Sequence, residues 1–196
     1  KAKITNKMRE KNGVKIKILS KNEIRDLEPN LNQDFYNGQL FLGSRHTTNP
    51  LAISKEIFQA FINSGGRFIK SSVENISPKD TSITLTYNQN NYNYDKVVVC
   101  AGSWSNNLTK KFGDNFPLDT ERGYHVLFNN ADLINRPIGW SQSGFYLVQL
   151  EEGLRAAGTV EIAGLSKPEN KKRTNMIENQ ARKLLPQLKE VKSTWL

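Results

Sequence analysis

The sequence predicts a mixed fold, in which a helix–strand α/β framework is joined to a larger antiparallel α+β portion. In the segment 96–102, residues 97–101 are continuously apolar and begin with three β-branched valines, which is typical of a strand buried on both faces within a parallel sheet. Short segments rich in strand-forming residues follow, separated by turn residues, and these indicate antiparallel strands around 119–128, 138–141, 145–150 and 154–161.

Local signals predict the remaining elements in chain order. Ser20 and Glu23 are spaced as a capping box, and Asn49 followed by Pro50 combines an N-cap with proline at the first helical position. Glycines or prolines end the predicted helices, which cover 2–12, 21–28, 50–64, 103–112 (capped by Ser103) and 170–185. Further strands are expected over 14–18, 40–42, 83–87 and 92–94. Phe68, Val73 and Ile76 also lie in strand-like segments. Hairpin tips are expected at 88–91 and 151–153.

Composition limits the classes of protein that this chain can represent. Its 196 residues are 37% hydrophobic and 24% charged, which is typical of a globular domain. The net charge of +9 is spread along solvated segments without a nucleic-acid-binding motif, so we expect no nucleic-acid partner. The longest apolar run is too short to cross a bilayer, no signal peptide is expected, and the single Cys100 suits a reducing, cytoplasmic compartment.

Three segments carry candidate site residues. The corner Ala101-Gly102, between the predicted strand and helix, either admits a ligand to the backbone or simply makes a tight turn. Residues 122–125 place an arginine, a tyrosine and a histidine together. Because strand residues alternate in direction, we expect Arg122 and Tyr124 on one face and His125 on the other. These side chains could bind a carboxylate, or they could be a paired arginine and a structural histidine.

The third segment is the predicted hairpin over 145–161, which can line a pocket with Tyr146, Arg155 or Glu161. Taken alone, a tyrosine such as Tyr146 is more often a packing residue. His46 and His125 are the only histidines, and no Cys/His spacing indicates a metal site. No phosphate loop, nucleophile elbow or Gly-x-Gly-x-x-Gly turn is present, so we name no catalytic residue and no metal.

The motifs and their order resemble one family. They are the segments 38–43, 46–50 (His-Thr-Thr-Asn-Pro), 97–105 (Val-Val-Val-Cys-Ala-Gly-Ser-Trp-Ser), 122–125 and 157–161 (Ala-Gly-Thr-Val-Glu). Together they are similar to the D-amino-acid oxidase/dehydrogenase family of FAD enzymes, and most of all to its bacterial D-amino-acid dehydrogenase and glycine oxidase branch. The resemblance covers about residues 20–196.

The resemblance implies a fold, a cofactor and site residues. The fold would be part of a Rossmann-like FAD-binding domain, over 36–114, with an antiparallel substrate-binding domain over 1–35 and 115–196. FAD would be contacted by Val73, Ala101, Gly102, Trp104 and His46. The substrate would be contacted by Tyr146, Arg122, Tyr124, His125 and Arg155.

The activity implied is oxidation of the C–N bond of a D-amino acid, glycine or a similar amine to an imine, which water hydrolyses to a 2-oxo acid and ammonia. A secondary-amine oxidase of the same fold, such as a sarcosine oxidase, and a non-catalytic basic binding module are the alternatives. Peripheral contact with the inner membrane is left open. The family's opening Gly-x-Gly-x-x-Gly and closing Gly-x-Arg-Pro motifs are absent, so we expect these 196 residues alone to be inactive and to bind FAD weakly or not at all.

Overall fold

The structure is a computed structural model that describes residues 2–129 and 132–195, with the backbone alone at residues 2, 3 and 195. Its helices are α1 (Ala2–Lys11), α2 (Lys21–Leu27), α3 (Pro50–Asn63), α4 (Ser105–Thr109) and α5 (Lys171–Leu184). Its strands are β1 (Ile16–Leu19), β2 (Gly38–Phe41), β3 (Asn75–Pro78), β4 (Ile83–Tyr87), β5 (Asn90–Tyr94), β6 (Glu121–Phe128), β7 (Ile138–Trp140), β8 (Phe145–Leu150), β9 (Gly153–Ile162) and β10 (Val191–Trp195).

The strands form three sheets, so the fold is mixed α/β with antiparallel sheets, as the sequence predicts. The largest sheet has the order β10-β6-β9-β8-β7, the second is the meander β3-β4-β5, and the third is the pair β1-β2. In the five-stranded sheet β7 pairs with β8, β8 with β9, and β10 with β6, each time in the antiparallel sense.

The chain divides into two compact units. The first comprises Lys1–Ile53, Gly123–Val160 and Glu169–Leu196, and the second comprises Ser54–Arg122 and Glu161–Pro168. The first unit contains the main hydrophobic core, to which α5 contributes Ile177, Ala181 and Leu184. The five-stranded sheet contributes buried side chains from alternate positions of β6, β8 and β9, namely Tyr124, Val126, Phe128, Phe145, Leu147, Leu154 and Ala156. This packing covers one face of the sheet.

Local capping and turn signals were predicted correctly. Ser20 and Glu23 form the reciprocal capping box of α2. The side chain of Asn49 accepts a hydrogen bond of 2.8 Å from the amide of Ala52 and so caps α3. The β4–β5 turn places Asn88 and Gln89 at positive φ, which is the conformation that two-residue hairpins require.

The prediction of a buried parallel strand over residues 96–102 is wrong for this structure. Residues 96–101 belong to no strand, Cys100 is exposed and Val98 is 83% exposed. A strand buried on both faces needs paired neighbours at its edges, and none of the three sheets supplies one in the described part of the chain. The apolar residues of α3 are likewise uncovered, since no residue of that helix is buried.

Two smaller predictions also need correction, and one strand was missed. Ser103 does not cap a helix: residues 102–104 form a 3-10 turn, and the side chain of its N-cap residue, Ala101, makes no capping hydrogen bond. Val73 and Phe68 lie outside the strands, because only β3 forms in that region. Strand β10 was not predicted. It pairs with β6, more than 60 residues away, and the short segment carries no local signal of that pairing.

No helix in residues 2–129 and 132–195 has the length and apolar character needed to cross a membrane.

Candidate functional site

The face of the five-stranded sheet opposite its hydrophobic core carries three of the predicted site residues. On β8 and β9, Phe145, Leu147 and their neighbours point into the core, so the alternate residues Tyr146 and Arg155 point to the other face. On β6, which is the neighbour of β9, the half-buried His125 lies between the buried Tyr124 and Val126 and therefore points the same way. We call this side the open face.

Tyr146 lies over a glycine of the adjacent strand. Its side chain is 61% exposed, and in the register of β7 with β8 it is the partner of Gly139. A Cβ atom built on Gly139 would lie 2.6 Å from Cε1 of Tyr146. The ring therefore occupies the space that any larger residue at position 139 would need, and the glycine lets the phenol lie close against β7.

Arg155 has a buried donor that the protein itself does not satisfy. Its Nε is buried and has no hydrogen-bond partner among the described residues. Arg25 and Arg173 also have such an Nε, but their terminal nitrogens donate to backbone carbonyls. Because a buried donor without a partner destabilises the folded state, the guanidinium of Arg155 is suited to an anion.

His125 is held in its neutral form beside Arg155. Partial burial lowers the pKa of the His125 imidazole, and the positive charge of Arg155 lowers it further, against the smaller opposite effect of Glu152. Near neutral pH the open face therefore presents the positive charge of Arg155 together with an uncharged imidazole that can donate one hydrogen bond and accept another.

Tyr124 and Arg122 are engaged by the protein itself. Tyr124 is only 2% exposed, its hydroxyl oxygen accepts a hydrogen bond of 3.1 Å from the amide of Asn170, and the guanidinium of Arg173 lies 5.8 Å from its ring centre. Arg122, in the second unit, donates to the carbonyls of Pro168 at 3.2 Å and Gly164 at 3.5 Å. Both side chains are thus engaged within the protein, while His125 faces the open side.

Four of the predicted cofactor contacts lie in the second unit. Gly102 adopts φ +53° at an exposed corner, and a Cβ built there would meet no atom within 4 Å. The amide of Trp104 donates to the carbonyl of Ala101 at 3.0 Å, which closes the turn, and the Trp104 side chain is 58% exposed. Val73 is half-buried just before β3. The corner is thus open to a ligand on the side of Gly102.

The fifth predicted cofactor contact, His46, lies in the first unit, on an exposed loop before α3. The end of this loop is hydrogen-bonded to the tip of the β8–β9 hairpin. The amide of Glu151 donates to the carbonyl of Thr48 at 3.0 Å, and Asn49 Nδ2 donates to Glu151 Oε2 at 2.6 Å. The structure therefore connects the loop of His46 with the hairpin of Tyr146 and Arg155.

Two residues of this arrangement were missed by sequence reasoning. Gly139 and Glu151 gain their importance from strand register and from a contact about 100 residues away, and neither is visible in a local pattern. One signal was available for Asn49. Its position before Pro50 predicts an N-cap, and an N-cap asparagine keeps an amide group free for a second partner.

Comparison with known proteins identifies the family. The model of the FAD-dependent oxidoreductase family matches residues 1–196. The chain is 30% identical over 184 residues to a D-amino-acid oxidase from Bradyrhizobium diazoefficiens. The aligned region covers 93% of this chain and 44% of that protein. The chain thus spans under half the length of this curated relative.

Solved structures show the same fold. Glycine oxidase from Bacillus cereus superposes on this chain with a TM-score of 0.77 at 20% identity. The superposed region covers 96% of this chain and 53% of the glycine oxidase chain. L-α-glycerophosphate oxidase from Mycoplasma pneumoniae, solved with FAD bound, superposes with a TM-score of 0.77 at 21% identity. The superposed region covers 91% of this chain and 51% of that oxidase chain. The family resemblance inferred from the motifs is confirmed, and the cofactor of the family is FAD. The chain belongs to the FAD-dependent oxidoreductases.

Proposed function

We propose that the protein containing this chain oxidises the C–N bond of a small amino acid or amine, such as a D-amino acid or glycine, in an FAD-dependent reaction. The observation that carries the proposal is the buried, unpartnered Nε of Arg155 on a face that also presents Tyr146 and His125. A cation with an unpartnered Nε donor, on the same face as an aromatic ring and a neutral imidazole, suits a small carboxylate-bearing substrate.

Each residue of the open face has a role in this proposal. Arg155 binds the substrate carboxylate through its guanidinium and so fixes one end of the molecule. Tyr146 contacts the substrate with its ring and hydroxyl group. Its ring is positioned for this contact because it lies against Gly139. His125 stays uncharged, because burial and Arg155 lower its pKa, and can therefore accept a hydrogen bond from the amine.

The amine is oxidised when it binds as the neutral base, so the chain needs no dedicated acid or base for this step. When bound, FAD supplies the acceptor for the hydride that leaves the carbon bearing the amine. The resulting imine takes up water and releases a 2-oxo acid and ammonia. The chain's own part is to orient the substrate carbon through Arg155 and Tyr146.

The residues proposed to hold FAD could contact part of the cofactor. The open corner at Gly102 allows a close approach to the backbone, Ala101 and Trp104 flank it, and Val73 lies in the same unit. His46 is also proposed to contact FAD. In this assignment residues 36–114 belong to the cofactor-binding domain, and residues 1–35 and 115–196 belong to the substrate-binding domain.

Arg155→Gln in a longer protein that carries FAD tests the proposal. With D-amino acids, glycine and N-methylglycine as substrates and a dye as electron acceptor, we expect kcat/KM to fall about 10- to 100-fold, the loss expected for hydrogen bonds to a charged group. An amine without a carboxylate should be affected far less. Lys7→Gln, which removes an exposed positive charge from α1, is the control. Failure of all these compounds to reduce the flavin would contradict the proposal.

A further inference from the structure

The tip of the β8–β9 hairpin is a rigid part of the first unit. Leu150 pairs with Gly153, so Glu151 and Glu152 form a two-residue connection. Gly153 adopts φ +143°, and a Cβ built there would lie 2.3 Å from the carbonyl oxygen of Phe128 at the end of β6. The tip is therefore packed against the neighbouring strand and cannot easily shift.

Glu151 projects from this tip and binds the loop of residues 44–49 with its backbone and both carboxylate oxygens. Its amide donates to the carbonyl of Thr48 at 3.0 Å. Its Oε2 accepts a hydrogen bond of 2.6 Å from Asn49 Nδ2, and its Oε1 accepts one of 3.4 Å from Thr48 Oγ1. The bonds to the carboxylate are charge-assisted, and the bond from Asn49 is short.

Asn49 carries the connection on to helix α3. While its Nδ2 donates to Glu151, its Oδ1 accepts from the amide of Ala52 at 2.8 Å and caps the first turn of the helix. The amide of Asn49 also donates to Thr47 Oγ1 at 3.2 Å. One side chain thus links the hairpin tip, the loop and the helix start, all within the first unit.

We propose that Glu151 is a positioning residue, which holds the loop carrying His46 at a fixed place relative to the hairpin carrying Tyr146 and Arg155. This role rests on the proposed function, because it assigns His46 to the cofactor side and the hairpin to the substrate side of one site. Residues 44–48 have no regular secondary structure and are exposed, so hydrogen bonds rather than burial hold the loop.

The loop attachment can be measured on the 196-residue chain without any cofactor. In Glu151→Ala the amide of residue 151 can still donate to Thr48, so its hydrogen exchange reports whether the loop detaches. We expect the exchange of the amides of residues 151 and 52 to accelerate about tenfold when the carboxylate is removed. Glu151→Gln keeps an acceptor for Asn49 Nδ2 and replaces the acceptor for Thr48 Oγ1 with an Nε2 donor, to which the hydroxyl oxygen can act as acceptor, so exchange should stay within about twofold of the wild type.

Glu152→Ala is the matched control, since it removes the same charge from the same tip. Glu152 makes a different contact: its carbonyl oxygen accepts from Lys192 Nζ at 2.9 Å, and this bond does not need the side chain. Exchange at residues 151 and 52 should be unchanged in this variant. Equal acceleration in both alanine variants, or none in Glu151→Ala, would overturn the attachment.

The positioning role is then tested in a longer, FAD-loaded protein. We expect Glu151→Ala to raise KM for the amino acid at least fivefold with a smaller change in kcat, and Glu151→Gln to restore it. Faster loop exchange with an unchanged KM would overturn the positioning role. If no amine or amino acid reduces the flavin, the proposed function fails, whereas the exchange result still decides whether Glu151 holds the loop.

Discussion

Glu28 is a buried carboxylate whose Oε1 lies 2.8 Å from Arg136 Nη1, yet its pKa is raised. Burial raises the pKa of Glu28, and the hydrogen bond from the amide of Asn135 and the charge of Arg136 offset only part of this effect. The two influences compete as in other buried ion pairs, where loss of water outweighs a single partner.

A raised carboxyl pKa gives stability a definite dependence on pH. Glu28 stabilises the folded state most below its usual pKa of 4.5, and the contribution is lost as pH rises through the higher pKa of the folded state. Relative to Glu28→Gln, the wild type should therefore lose free energy of unfolding as pH increases above 4.5. Urea unfolding of both proteins across this range measures the difference. A difference that moves in favour of the wild type with increasing pH would show that the ion pair with Arg136 dominates.

Gly153→Ala should destabilise the first unit by about 2–4 kcal/mol, the range of substitutions that force a backbone clash at an unusual φ. The added Cβ would lie 2.3 Å from the backbone oxygen of Phe128, which cannot rotate away as a side chain can. Gly43→Ala is the control, because nothing lies within 4 Å of its Cβ position. Denaturant midpoints of the two variants should differ clearly. Equal midpoints would contradict the rigid hairpin tip.

The elements that sequence reasoning recovered are those specified by neighbours in the chain. The capping box of Ser20 and Glu23, the helix start at Asn49 and the two hairpins depend on residues a few positions apart. The strand predicted over residues 96–102 does not form. An apolar run indicates that a segment is suited to burial, but it does not indicate which strand would pair with that segment. Pairing partners are remote in sequence, and no local pattern encodes them.

The sequence also predicted some features of the candidate site and not others. The residue types at 122–125 and in the β8–β9 hairpin pointed to a carboxylate site. Alternation along β6 correctly separated His125 from Tyr124. The sequence did not show that Tyr124 lies in the core, because this follows from how the sheet packs against α5. It also did not show that Arg155 has a buried donor without a partner, because hydrogen-bond partners come from parts of the chain that are remote in sequence.

Gly139→Ala should disturb the proposed site more than it disturbs the fold. The added Cβ would lie 2.6 Å from the ring of Tyr146, and this exposed ring can swing away. We expect the free energy of unfolding to change by less than about 1 kcal/mol. In an FAD-loaded longer protein, kcat/KM for the amino acid should fall about tenfold as the phenol is displaced. Tyr146→Ala should give a similar loss, and the double variant should lose little more. Additive losses would show that the two residues act separately.

The 196-residue chain by itself should bind FAD weakly or not at all. Ala101 and Gly102 present an open corner, but the preceding residues 96–101 lie in none of the three sheets, and Val98 is 83% exposed. A binding loop that no sheet holds in place must be ordered when the ligand arrives, and this ordering opposes binding. Protein purified with added FAD and passed through a desalting column should show no flavin absorption band. Folding is checked on the same sample by circular dichroism, and a stoichiometric flavin band on the folded chain would contradict this expectation.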